Sequence, residues 1–164
     1  MRKFLLVLLL AVTAANAQIG LRQRQPRGRL LTKFTITSAN AAFIAAAATA
    51  DVTLFTLPAR GKVLGVSVKH SAVFSDGAGA MSEVSVSVGD SSSATFYTSA
   101  TNIGEATAVA DTTFQDTSLR KSSTFAARAV VARFTATGRN FGDAAATFLT
   151  GGSVDIWIEW TTLP

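Results

Sequence analysis

Hydrophobic and polar residues alternate with a period of two over most of the chain after residue 50. The clearest case is the segment 82–89, in which Val84, Val86 and Val88 share one face and serines occupy the other. This alternation predicts a β-strand with one buried face. Similar runs predict strands at 51–57, 62–70, 126–137 and 153–162, and shorter runs predict strands at 34–37 and 94–99.

The segments between these strands are rich in residues that form turns. Proline, glycine, aspartate or asparagine recur at 58–61, 75–79, 90–93 and 138–142, where they terminate strands and reverse the chain. The alanine-rich segment 39–50 is predicted as a short helix or irregular structure, 103–111 as a short helical turn, and 112–124 as irregular or weakly extended. The pattern contains neither a long helix nor a βαβ alternation. It therefore predicts an all-β fold, a single β-sandwich or jelly-roll-like domain over 34–164.

Two strands carry side chains whose facing matters for function. In 62–70, strict alternation places Leu64, Val66, Val68 and His70 on one face and Val63, Gly65, Ser67 and Lys69 on the other. In 153–162, it turns Trp160 toward the core and leaves Trp157 on the opposite face, between two acidic residues. Trp157 is therefore predicted to anchor a protein interface. Two alternatives stay open: Trp157 is a platform for a sugar, or the alanine-rich segment covers it.

The first 17 residues have the organisation of a secretory signal. A basic start is followed by the apolar run 4–12 and by alanines at 15 and 17, which form an Ala-x-Ala cleavage site. The run is too short to span a bilayer, which takes about 20 apolar residues. We predict a cleavable signal over 1–17 and a mature chain that starts at Gln18. The alternative is an uncleaved apolar helix that packs on a partner.

Charge is unevenly distributed along the chain. The formal net charge is +5, yet residues 1–33 hold seven of the 15 basic residues and no acid, so the remainder carries 8 − 10 = −2. The segment 18–33 is predicted to be a flexible basic arm, broken by Pro26 and Gly28. Its candidate contact residues are Arg22, Arg24, Arg27, Arg29 and Lys33. We expect them to bind a sister subunit rather than nucleic acid, because the arm lacks interleaved aromatic residues that would stack on bases.

Catalytic and ligand-binding motifs are missing from the sequence. The chain has no cysteine, which excludes disulfides, a thiol nucleophile and cysteine-ligated metals. His70 is its only histidine, and no serine lies in a Gly-x-Ser-x-Gly motif. The acidic residues lie mostly in turns, with no calcium-binding loop pattern. We therefore predict no catalytic, cofactor-binding or metal-binding residue. A hydrolase using His70 or paired acids is the least favoured hypothesis.

Several short segments resemble uncharacterised structural proteins of tailed bacteriophages. They are 54–58, 63–66 with 69–70, 111–116, 134–140, 149–156 and the terminal 163–164. The resemblance implies a non-enzymatic virion accessory of the head, tail or fibre. Only 15% of residues are charged, against about 25% in ordinary soluble domains. That composition favours a homo-oligomer or a larger assembly. The alternative is a secreted carbohydrate- or surface-binding module, exported if the leader is cleaved after Ala17.

Overall fold

The computed structural model describes residues 23–24, 28–76, 81–104, 112–116, 126–143 and 149–162. These residues contain nine strands and one short 3-10 helix, Ala41–Phe43. The strands are β1 (Gln23–Arg24), β2 (Arg29–Thr37), β3 (Thr49–Leu57), β4 (Gly61–Ser75), β5 (Glu83–Asp90), β6 (Thr101–Asn102), β7 (Thr112–Asp116), β8 (Arg128–Thr137) and β9 (Gly151–Thr162). The leader 1–17 and most of the predicted arm lie outside the described residues.

The strands form two antiparallel sheets that pack face to face. The five-stranded sheet has the order β1-β2-β9-β4-β7, and the four-stranded sheet has the order β3-β8-β5-β6. Aromatic side chains join the two inner faces. Phe34 of the first sheet stacks on Phe55 of the second at 5.7 Å between ring centroids, and Phe74 lies 5.8 Å from Phe134. The all-β sandwich predicted from the alternation is confirmed.

The core is built from the alternating positions that the sequence indicates. Val84, Val86 and Val88 of β5 are at most 1% exposed. The inward residues of β9 are buried as predicted, namely Val154, Ile156, Ile158 and Trp160. Burial of large apolar side chains contributes about 1.5–3 kcal/mol each, so these two strands supply a large part of the driving force for folding.

The facing of β4 differs from the prediction because the strand contains a bulge. Val63 pairs with Trp160 and Gly65 pairs with Glu159, so Leu64 is an extra residue on β4. A bulge of this kind shifts the alternation by one position. Val63 is therefore buried at 1% exposure beside Val66 and Val68, while Leu64 is only half-buried. The predicted buried face is therefore correct for Val66, Val68 and His70, whereas the assignment of Leu64 to that face and of Val63 to the opposite face was wrong.

Strand β2 starts earlier than the sequence pattern indicates. Arg29 to Lys33, which the sequence assigns to the flexible arm, are strand residues that pair with Thr161 to Trp157 of β9. Strand β9 extends to Thr162, so the backbone groups of Arg29 to Lys33 can form hydrogen bonds with it. This part of the arm assignment is corrected, since pairing along β9 outweighs the polar composition of the segment.

The local predictions for the loops have different outcomes. The segment 94–99 is not a strand, because the amides of Tyr97 and Thr98 both donate to the Val88 carbonyl, at 2.9 and 3.0 Å, and fold the segment back onto β5. The alanine-rich segment contains the 3-10 helix, capped by Asn40, whose side chain accepts from the Ala42 amide at 3.0 Å. In the region predicted as irregular or weakly extended, 112–116 forms β7, whereas 105–111 and 117–125 lie outside the described residues.

Candidate assembly surfaces

The outer face of the five-stranded sheet centres on Trp157. Its strand β9 lies between β2 and β4, so Lys33 and Ser67 flank Trp157 in register. The Lys33 ammonium lies 5.1 Å from the centroid of the Trp157 ring and 2.8 Å from Asp155 Oδ2. Trp157 itself is half-buried. The indole therefore lies in the middle of a sheet face, with a cation over its ring.

Both acids beside Trp157 are paired with cations from β2. Besides the Lys33 contact, Asp155 accepts a hydrogen bond from Thr35 Oγ1 at 2.6 Å. Glu159 Oε1 lies 3.2 Å from Arg29 Nη1. Tryptophan is enriched among the residues that anchor protein interfaces, so the identity of Trp157, and not the charged pairs beside it, is what fits that role. The Lys33 ammonium also lies over the ring surface on which a sugar would have to stack.

The sheet brings together site residues that are far apart in the sequence. Arg29 and Lys33, which the sequence analysis assigned to the arm, lie on the same face as Trp157 near the end of the chain. Arg24 belongs to β1 and pairs with Leu30. The predicted contact residues Arg22 and Arg27 lie outside the described residues. The sequence did not predict that the basic residues and Trp157 lie together. Alternation shows which face of a strand a side chain is on, but it does not show which strands are neighbours.

The alanine-rich segment does not pack against Trp157. Its Phe43 enters the core, where its ring centroid lies 5.0 Å from that of Phe134 and 5.1 Å from that of Phe141. These contacts hold the segment at one end of the sandwich. The structure therefore contradicts the alternative in which the alanine-rich segment covers Trp157.

A polar groove of about 370 Å³ lies on the outer face of the four-stranded sheet. Its lining is mostly hydroxyl groups, from Ser87 and Thr135 on the strands and from the 91–93 turn. Asp51 and Arg133 form a bidentate ion pair across it, with both N···O distances 2.7 Å. The hydrogen bond from Arg133 lowers the pKa of Asp51, and the Asp51 carboxylate raises the pKa of Arg133. Each group holds the other charged, which suits a structural pair and leaves neither as a proton donor or acceptor near neutral pH.

The turn after β5 is fixed by a second, more buried ion pair. Asp90 is 5% exposed and accepts hydrogen bonds from the amides of Ser92 and Ser93, both at 3.0 Å. Arg128 Nη1 lies 3.5 Å from its carboxylate. Burial opposes ionisation of Asp90, yet the hydrogen bonds and the Arg128 charge outweigh it and lower the pKa. Asp90 is therefore a charged side chain that stabilises its own turn.

Two aromatic rings complete this cluster. The Arg128 guanidinium carbon lies 5.6 Å from the ring centroid of Phe96 and 5.7 Å from that of Tyr97. Burial raises the pKa of Tyr97 to about 12. Its hydroxyl makes no hydrogen bond of regular geometry with the described residues, but the nearby Arg128 guanidinium interacts with it and partly offsets the effect of burial on the pKa. The cluster therefore packs the 91–98 segment onto β5 and β8 and supplies no group that titrates near neutral pH.

A third surface, at one end of the sandwich, was missed by the sequence reasoning. Ile44 is 62% exposed and is the one exposed large hydrophobic residue among those the structure describes. It borders a groove of about 290 Å³, whose lining also includes Ala39, Phe43 and Leu149. The signal that could have revealed it is that residues 34–50 include no charged residue. We call Ile44 and this groove the end patch.

The only histidine lies in the core. His70 is 2% exposed, and its Nε2 atom has no hydrogen-bond partner among the described residues.

Within the described parts of the chain, no group of three or more histidine, aspartate or glutamate residues is arranged to hold a metal ion. The described residues also include no helix long and apolar enough to cross a membrane.

Comparison with solved structures finds the same fold in two phage capsids. The chain aligns with a chain of the cyanophage Pam1 capsid asymmetric unit at a TM-score of 0.56 and 20% identity, over 94% of this chain and 100% of that one. It aligns with a chain of the capsid of Ralstonia phage GP4 at a TM-score of 0.53 and 13% identity, over 90% and 92%. No family model and no curated protein matches the chain. At these identities the likeness establishes a shared sandwich fold in chains of similar extent.

Proposed function

We propose that this protein is a non-enzymatic structural subunit of a phage capsid, an accessory of the head that associates with copies of itself or with the shell. The observation that carries the proposal is the end-to-end match to a chain of the Pam1 capsid, which covers all of that chain. A match of this extent is to a whole subunit and not to an insertion within a larger one. The sequence resemblance to phage structural proteins supports the same kind of particle.

The face around Trp157 fits the contact that such a subunit needs. An aromatic side chain at a protein interface buries about 150–250 Å² and is among the residue types that contribute most to binding. Here Lys33 and Arg29 neutralise the two neighbouring acids. A partner can therefore cover the face without leaving an unpaired carboxylate, which is costly to bury. We expect this face to lie against another subunit.

The first experiment asks where the native protein resides. Particles purified by density gradient and the cleared culture medium are compared by quantitative peptide mass spectrometry. A constant number of copies per particle, retained when heads are separated from tails, supports the proposal. Protein found free in the medium and starting at Gln18 would instead support the secreted surface-binding module.

A second experiment tests the face itself. Trp157→Ala is compared with Thr53→Ala, an exposed position on the outer face of the four-stranded sheet. Each variant replaces the wild-type protein during infection. Loss of an interface anchor costs about 2 kcal/mol or more, so Trp157→Ala is expected to lower binding to the particle by more than tenfold. Thr53→Ala is expected to be incorporated normally. If both variants keep the wild-type melting temperature and are incorporated equally, Trp157 is not part of the interface.

A further inference from the structure

The polar groove on the outer face of the four-stranded sheet is a surface that the proposed capsid contact around Trp157 does not use. Its volume of about 370 Å³ lies within the range of about 300–1,000 Å³ that is typical of small-molecule sites. Of the described residues that line it, Ala94, Ala100 and Val131 are apolar and the others are polar. A ligand in this groove must therefore be held by hydrogen bonds rather than by apolar burial.

The register of the strands places three different polar groups side by side on the floor of the groove. Ser87 of β5 lies opposite Arg133 of β8, and Arg133 lies opposite Asp51 of β3. Residues in such positions have Cβ atoms about 4.5–5.5 Å apart on the same face of a sheet. A hydroxyl, a guanidinium and a carboxylate therefore line the groove together.

The most buried hydroxyl of the lining belongs to Ser87. This residue is 5% exposed, and its Oγ atom has no hydrogen-bond partner among the described residues. The nearby Ser92 hydroxyl, by contrast, donates to the Asp90 carboxylate. Buried polar groups are nearly always hydrogen-bonded, because an unpaired one costs free energy. A ligand that carries a hydroxyl to the floor would provide the missing partner.

The ion pair beside Ser87 can bind a hydroxyl through both of its members. Arg133 uses its Nε and Nη2 atoms on Asp51, and the two side chains remain 42% and 46% exposed. A guanidinium has five N–H donors and a carboxylate has about four lone-pair sites, so both keep unused hydrogen-bonding capacity. A hydroxyl is a donor and an acceptor at once. It can therefore donate to Asp51 and accept from Arg133.

The charges that line the groove are balanced, which favours a neutral ligand. Asp51 is paired with Arg133, and Asp90 is paired with Arg128 at 3.5 Å. An anion would meet two carboxylates, and a cation would find both of them already neutralised. A ligand without charge avoids both penalties and can still use every hydrogen-bonding group.

The wall of the groove is formed before any ligand binds. Asp90 and Ser93 exchange two backbone hydrogen bonds, and the Phe96 amide donates to the Ser93 carbonyl at 3.1 Å. The Asp90 carboxylate also accepts from the amides of Ser92 and Ser93. A turn held at this many points loses little conformational entropy when a ligand contacts it.

A segment of another protein is a poorer match for this floor than a small ligand. Strand β8 is paired with β3 on one side and with β5 on the other, so the floor offers no strand edge. Extended peptides commonly bind a sheet by pairing with such an edge. The ligand must instead bond to side chains, and its own groups must be neutral, numerous and able both to donate and to accept. Sugars have these properties.

We propose that the groove binds a neutral hexose or N-acetylhexosamine, the terminal unit of a glycan, through Ser87, Asp51 and Arg133. This site is distinct from a sugar platform on Trp157, whose ring is covered by Lys33. The described lining includes no aromatic side chain on which a sugar could stack. We therefore expect weak binding of a single unit, with a Kd of about 1 mM.

Saturation-transfer NMR on the purified protein tests for this binding. The probes are the methyl glycosides of glucose, galactose, mannose and N-acetylglucosamine, which stand for terminal units of a glycan. At least one of them is expected to bind, and inorganic phosphate added at constant ionic strength is expected not to displace it. Binding of none of the four, or displacement by phosphate, would overturn the proposal.

Two serine variants of β5 locate the site. Ser87→Ala removes the unpartnered hydroxyl of the floor. Ser85→Ala is the matched control, since Ser85 lies two residues earlier on the same outer face and does not line the groove. Loss of one hydrogen bond to the ligand is expected to weaken binding about fivefold in Ser87→Ala, with no change in Ser85→Ala. Equal affinities of the two variants would contradict the assigned floor.

A blocking variant tests the groove as a whole without touching its polar groups. Ala100→Tyr places a ring at the exposed edge of the groove and is expected to abolish sugar binding. Ala72→Tyr, an exposed position on the five-stranded sheet, is expected to bind as wild type does. Full binding by a folded Ala100→Tyr protein would refute the site. Loss of particle incorporation in this variant, with no sugar bound by the wild type, would make the groove a protein contact instead.

This inference does not depend on the capsid role, and the two proposals fail separately. Sugar binding by a protein that is absent from particles would keep the groove and refute the capsid role. A protein present in particles that binds none of the four glycosides would do the reverse.

Discussion

Replacing Gly89 with alanine is expected to destabilise the protein strongly although Gly89 lies in a regular strand. Gly89 is on β5, and the turn that follows folds back over it. A Cβ atom added there would overlap the Ser93 carbonyl oxygen and would lie 2.6 Å from the Ala94 carbonyl oxygen. Both neighbours are backbone atoms, so no side chain can rotate away to relieve the overlap. The turn must move.

The magnitude follows from the hydrogen bonds that hold the turn. Asp90 and Ser93 exchange two backbone hydrogen bonds, at 3.0 and 3.1 Å, and the Tyr97 amide donates to Val88 at 2.9 Å. Each such bond contributes about 1 kcal/mol, so losing three costs about 3 kcal/mol. For a domain of this size, that lowers the melting temperature by roughly 6–12 °C.

Gly151→Ala is the matched control. Gly151 is also a strand glycine, but a Cβ atom there would lie 3.6 Å from the nearest atom, Ser75 Oγ, which is an ordinary contact. Its expected effect is between zero and about 1 kcal/mol of stabilisation, since alanine restricts the unfolded chain. Urea unfolding of both variants measures the difference. Equal midpoints would refute the close approach of the turn to β5.

Three further predictions concern the core register, the buried ion pair and a buried hydroxyl. Val86→Asp should cost several kcal/mol because Val86 is 0% exposed, whereas Ser85→Asp on the outer face should cost far less; equal thermal melts would contradict the register. Asp90→Asn should be less stable than wild type at neutral pH. Because folding lowers the pKa of Asp90 below its ordinary 3.8, its contribution is present above that pH and is lost as pH falls through the folded value. Urea midpoints for Asp90→Asn and wild type should therefore converge in acid, and a constant gap would contradict this. Tyr97→Phe removes a buried hydroxyl that makes no hydrogen bond of regular geometry and interacts only weakly with Arg128, so the urea midpoint should stay constant or rise. A lower midpoint would show that the hydroxyl is hydrogen-bonded.

The sandwich could be predicted from the sequence because one physical signal repeats along it. A strand with one face in the core must alternate in sequence, as β5 and β9 both do; burial follows this alternation along β9, whereas on β5 the outward Ser87 is buried as well. Even the split between Trp160 and Trp157 was correct: Trp160 is 6% exposed in the core, and Trp157 faces outward. Alternation reports burial directly, so the predictions that rest on it are the sound ones.

Other features depend on contacts that alternation does not encode. The bulge at Leu64 leaves no sequence signature, yet it reverses the facing of Val63. The segment around Tyr97 has the composition of a strand, but the amides of Tyr97 and Thr98 both donate to the single Val88 carbonyl of β5, so no ladder of paired residues forms. The position of Lys33 over Trp157 requires the strand order, which a single sequence does not contain.

The part of the chain after residue 33 is nearly neutral by count, 8 − 10 = −2, and most of its described acidic residues are also paired with cations. Five of the seven acidic residues whose side chains the structure describes form ion pairs, and the longest contact among them is 3.6 Å. Paired charges produce weak fields beyond about 10 Å at moderate salt. For the subunit proposed above, long-range attraction to a partner would therefore come from the basic N-terminal segment, and close contact from the face around Trp157. Contacts of the body should accordingly depend on shape and apolar burial, and those of the arm on salt.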